Sequence, residues 1–146
     1  MRLLRLLLTA WLASSSVQPP DPVDVTITLQ RTICFGACPA YTVTIAGDGR
    51  VEYVGEQFVR VRGKETATIP PEQVAALVEA FETAGFFDLK NEYTANITDL
   101  PTTITSIRIG DRFKRVIDYY GAPQVLKDLE RSIDKVAGTA RWVAQP

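Results

Sequence analysis

The chain contains no histidine at all. That removes the commonest general base and the commonest transition-metal ligand, so a Ser-His-Asp or Cys-His site is excluded. Cysteine is nearly as scarce. Two thiols, Cys34 and Cys38, cannot close a tetrahedral zinc site by themselves. No acidic segment has calcium-loop spacing, and no basic run with interleaved aromatics offers a footprint for nucleic acid. Ser106 and Ser132 are the only serines beyond residue 16; one reads as a strand position and the other as a helix position, so neither suits a lysine-activated nucleophile. No apolar run is long enough for a permanent membrane span. What remains open to catalysis is a carboxylate pair, which leaves no local signature because its members come from distant positions.

The start, MRLLRLLLTAWLASSS, is tripartite: Arg2 and Arg5, an apolar stretch from Leu6 to Ala13, then small residues. This is the pattern of a secretory signal peptide over residues 1–16, and it implies a periplasmic or secreted product. Residues 17–22 read as a proline-rich linker, and 23–146 as a single domain. Loss of the two arginines takes the basic count from 16 to 14 against 17 acids, a net of about −3. A mildly acidic domain has no electrostatic reason to bind nucleic acid or an anionic membrane.

From Val23 the apolar period is two. Val23, Val25, Ile27, Leu29 and Ile33 alternate with polar residues, and Arg31 falls in the apolar register. Tyr41, Val43 and Ile45 follow, then Gly47-Asp48-Gly49 as a hairpin turn, Val51 to Val54, and an extended piece over Phe58 to Arg62. The period then changes. Val74, Leu77, Val78 and Phe81 form one helical stripe between Pro71 and Gly85. Residues 88–102 show no clean period. A second hairpin spans Thr103 to Tyr120, placing Tyr119 and Tyr120 on opposite faces of a strand. A second helix follows, with Leu126, Leu129, Ile133 and Val136 on one face and a charged, solvated face that includes Glu130 and Asp134. The expected fold is α+β: an antiparallel sheet of about five strands with two helices on one face. Because each half reads as hairpin then helix, a ββα unit could be repeated.

The segment RTICFGACPAY holds both cysteines. In an exported protein two lone cysteines most often pair, and Gly36 and Pro39 allow the chain to fold back far enough to do so. Alternatives are a redox-active dithiol, or reduced thiols or metal. Against redox chemistry, the spacing is C-x-x-x-C and no helix N-terminus follows to lower a thiol pKa. Arg31 is the one nearby cation, able to lower a thiol pKa or to pair with a carboxylate.

Several strings together resemble an uncharacterised bacterial domain-of-unknown-function family. They are Arg31-x-x-Cys34-Phe35-Gly36-x-Cys38-Pro39-x-Tyr41, the Gly47-Asp48-Gly49 turn, Tyr53-x-Gly55, Phe86-Phe87-x-Leu89, Asp99-x-Pro101-Thr102 and Tyr120-Gly121-Ala122-Pro123. The resemblance covers about residues 24 to 143. It implies an often exported domain and a cysteine pair, and it brings no catalytic residue.

By exclusion the sequence points to a non-catalytic binding or interaction module at the cell envelope, with no cofactor and with a protein or small molecule as partner. The surfaces singled out are the cysteine turn and the 88–102 loop, with Arg31, Phe35, Tyr41, Tyr93, Asp99 and Tyr120 as contact residues. The alternatives are a thiol-disulfide protein using Cys34 and Cys38, and a carboxylate-dependent hydrolase using Asp99 and Asp118.

Overall fold

A computed structural model describes residues 24–143. The signal and linker segments expected over 1–22 lie outside the described residues. The strands are β1 (Val25–Arg31), β2 (Ala40–Ala46), β3 (Arg50–Gln57), β4 (Gly63–Thr68), β5 (Glu92–Tyr93), β6 (Thr103–Ile109) and β7 (Arg112–Asp118). The helices are α1 (Pro71–Thr83), α2 (Gln124–Ala137) and the single turn α3 (Ala140–Val143), with a further 3-10 turn at Phe86–Asp88. All strands join one sheet in the order β4-β3-β2-β1-β6-β7-β5. Every pairing is antiparallel except the short β5 beside β7.

The mixed α+β class agrees with the sequence reading, but the sheet has seven strands rather than about five. One addition is β5, two residues long and without a readable period. The edge strand also moves. Residues 58–61 form a bend, and the extended chain runs from Gly63 instead. Gly55 explains where the strand β3 can approach that bend. A Cβ there would collide with the Val61 carbonyl oxygen, the same atom that accepts the Tyr53 hydroxyl at 3.0 Å.

Period-two alternation sends Val25, Ile27 and Leu29 of β1, Val43 and Ile45 of β2, Val51 and Tyr53 of β3, and Ile107 of β6 into one core. Val74, Leu77 and Phe81 of α1 and Leu126, Leu129 and Ile133 of α2 cover that face. Trp142 closes the β3 side by stacking on Tyr53, ring centroids 4.9 Å apart. Thr26, Thr28, Thr42 and Thr44 hold the alternate positions on the opposite face and stay partly or fully accessible.

A repeated ββα unit is not what the topology builds. β2 and β6 both run antiparallel to β1 and flank it, so they point the same way. From them, β3 and β7 step outward in opposite directions. With both helices on the same face, the two hairpins are of opposite hand, and no rotation superposes them.

Candidate functional site

Strand register brings four polar side chains into one row. Tyr41 pairs with Arg31, Arg31 with Thr103, and Thr103 with Asp118, all at core-facing positions of β2, β1, β6 and β7. The next row inward is Val43, Leu29, Thr105 and Val116. One end of the core is therefore polar, and α2 lies over it.

Asp134 of α2 gathers the inner half of this end. Arg31 donates to its Oδ2 through Nη2 at 2.7 Å and through Nε at 3.0 Å. Tyr41 donates its hydroxyl to Oδ1 at 2.7 Å, and Thr139 does so at 2.8 Å. Arg31 also reaches the Tyr41 oxygen and Thr103 Oγ1, at 3.0 and 3.1 Å. Burial pulls the Arg31 guanidinium down, but the charge of Asp134 and the Tyr41 phenol more than offset it, and the pKa is raised. For Tyr41, burial and then the Asp134 charge push the phenol well above its ordinary value. Both groups stay protonated and both donate. This network is closed on itself.

The outer half is not closed. Asp118 is 5% exposed and Glu130 of α2 4%. Lys127 donates to Asp118 Oδ2 at 2.9 Å, while Asp118 Oδ1 and Glu130 Oε1 have no donor among the described residues. Thr105 Oγ1, one row deeper, is likewise unpartnered. Burial, followed by the nearby Asp118 charge, pushes the Glu130 carboxyl up from 4.5 to about 7. Near neutral pH this side chain can hold or release a proton. The two carboxylates face a cleft of about 310 Å³ that is also lined by Lys127, Arg131, Leu100, Pro101 and Tyr119.

Above the cleft two loops form a rim. Cys34 and Cys38 are joined by a disulfide, Cα atoms 5.6 Å apart. Thr32 N donates to Thr102 O at 3.0 Å, Thr102 N to Thr32 Oγ1 at 2.9 Å, and Phe35 N to Asp99 O at 3.2 Å. Asp99 adopts the left-handed region, φ 75°, to present that carbonyl, and its carboxylate accepts from Thr98 Oγ1 at 3.0 Å. Tyr119 fastens the loop from the other side by donating its hydroxyl to Ile97 O at 2.7 Å.

The six contact residues expected from the sequence thus sit at one sheet end as three pairs. Arg31 and Tyr41 belong to the buried network. Phe35 and Asp99 are joined through their backbones. Tyr93 O accepts from both Tyr119 N and Tyr120 N, at 2.9 and 3.1 Å. β7 ends at Asp118, so Tyr119 and Tyr120 follow the strand rather than alternate along it, and Tyr120 is exposed. Asp99 and Asp118 do not share an environment. The first is exposed beside Thr98; the second is buried against Lys127.

Glu130 and Asp134 are the residues that sequence reasoning misplaced on a solvated face. The signal was present. Position 130 lies four residues after Leu126 and three before Ile133, both fully buried, so it belongs to the apolar stripe. A carboxylate in that register marks the same anomaly as Arg31 in the register of β1.

Architecture and site together define a mixed α+β domain with a disulfide-stapled rim over a polar cleft. Residues 25–137 match the sequence profile described as Domain of unknown function (DUF6438), and the chain belongs to that family. No curated protein matches the chain. Among the described residues, no group of three or more histidine, cysteine or acidic side chains is placed to hold a metal ion, and no helix is long and apolar enough to cross a membrane.

Proposed function

We propose that this chain is an exported interaction module of the cell envelope, meeting a partner protein through the rim made by the cysteine turn and the 94–102 loop. The observation that carries this reading is Phe35, whose ring is 87% exposed. A large apolar side chain left in water is uncommon, and this one is presented from a disulfide-closed turn tied by a backbone bond to Asp99. Around it Ile33, Ile97, Leu100 and Tyr120 are also exposed, which extends the apolar rim. Preorganisation lowers the entropy lost on contact, so a rigidly held aromatic is the kind of residue that dominates an interface. Export is supported by the tripartite N-terminus and by the compartments in which a disulfide persists.

The test is site-specific photocrosslinking from position 35 in the native host, combined with the intact mass of the recovered chain with and without reduction. One discrete crosslinked product, lost when Ile33 and Leu100 are changed to Ser, together with a mature N-terminus near residue 16, is expected. No discrete product from position 35, or a chain that keeps its N-terminal segment and free thiols, would sink the reading. A bridge that reduces readily with glutathione would instead favour the thiol-disulfide alternative.

A further inference from the structure

Two acceptor oxygens on the cleft wall, Asp118 Oδ1 and Glu130 Oε1, belong to side chains about 95% buried and meet no donor among the described residues. Leaving a buried acceptor unmade costs about 1–3 kcal/mol, more when it is charged, so a donor entering the cleft would recover a substantial free energy. The surrounding charges say which donor. Arg31, Lys127 and Arg131 stand against Asp118, Asp128, Glu130 and Asp134; with every group ionised, three cations face four carboxylates. All three cations already have a carboxylate partner, so an anionic ligand finds no free charge. One positive charge is what the cluster lacks. Two carboxylates are too few to cage a metal ion, whereas an ammonium group carries three N–H donors and can serve two acceptors at once. Leu100, Pro101 and Tyr119 supply a wall for a short apolar chain, and about 310 Å³ is the size of a small-molecule site.

We propose that this cleft, between α2 and the adjoining ends of β6 and β7, binds a small primary alkylammonium whose N–H groups donate to Asp118 Oδ1 and Glu130 Oε1. The site is independent of the rim contact, because Phe35 takes no part in it.

Binding competes with protonation of Glu130. The groups facing that carboxylate are Asp118 from β7, Arg31 from β1, and Lys127 and Asp134 from its own helix. A proton on Glu130 removes the surplus negative charge, so affinity falls as the pH drops below about 7. The fall approaches about tenfold per pH unit.

The experiment is a titration of the 15N-labelled whole chain with n-butylammonium chloride at about pH 8, followed through backbone amide shifts, with n-butanol and n-butyltrimethylammonium as controls. Saturable shifts at Thr103, Asp118 and the Lys127–Arg131 turn are expected, with a Kd on the order of 1 mM. Glu130→Gln, or a pH of about 5, weakens binding by about tenfold or more. Lys127→Met frees Asp118 Oδ2 and tightens it. The variants' own spectra report whether they are folded. Shifts that never saturate, or a Kd indifferent to Glu130→Gln, to Lys127→Met and to pH, or equal binding of the trimethyl analogue, would overturn the proposal.

Discussion

The two ends of the core face are built from the same strands and share one alternation, yet they differ in nearly every physical respect. At one end Val25, Ile27, Ile45 and Ile107 are buried with no polar atom to satisfy. At the other, Tyr41, Arg31, Thr103 and Asp118 occupy equivalent core-facing positions, and α2 adds Glu130 and Asp134. The apolar end gains stability from area removed from water. The polar end must satisfy what it buries, and it does so for Asp134 but not for Glu130. A stretch of core that keeps unpaired carboxylates where apolar side chains would fit gives up stability, as binding sites do.

Truncation at the apolar end should separate the two most sharply. Ile27→Ala removes a fully buried side chain from the central strand and is expected to cost about 3–4 kcal/mol, read as a lower urea midpoint with the slope unchanged. Asp134→Ala comes next. It strands the Arg31 guanidinium and the Tyr41 and Thr139 hydroxyls, and because Arg31 and Asp134 keep 27% and 20% side-chain exposure the cost is about 2–3 kcal/mol rather than that of a fully buried pair. The smallest effect has the opposite sign. Between its ordinary value of 4.5 and its folded value of about 7, Glu130 binds a proton in the folded state but not in the unfolded one. Stability from this group is therefore full below 4.5, declines as pH rises to about 7, and stays low above it. Glu130→Gln should remove that slope, stabilising the chain by about 1–2 kcal/mol at about pH 8 and changing little at pH 4. Thermal unfolding across the pH range checks it; a destabilised variant at pH 8 would show that the carboxylate is satisfied in place.

The apolar end was legible in the sequence because alternation and helical stripes are local signals. Val74, Leu77 and Phe81, or Ile27 and Leu29, declare their faces within one or two turns. β4 was harder to read because Gly63–Thr68 is a solvated edge with no buried stripe, and β5 because two residues carry no period. The site was half legible. Arg31 in an apolar register announced a buried charge, and the cysteine turn announced the rim. Glu130 and Asp134 escaped because alternating charges on a helix normally mean a solvated face, and only the partners from β1, β2 and β7 show otherwise. Such partners are set by pairings remote in sequence. Arg31 meets Thr103 across 72 residues.

That remoteness also governs the order in which the structure can be assembled. β1 is the first strand made and stands near the middle of the finished sheet, between β2 and β6. Its β2 side can be paired as soon as the next hairpin exists, but its other edge waits for β6, after α1 and the long loop have been made. Until then the VTITL run offers an open, β-branched strand edge. A chain threaded across a membrane from its N-terminus would expose that edge for as long as the remaining two thirds of the fold takes to arrive, and a holding chaperone at the far side would have a defined segment to cover.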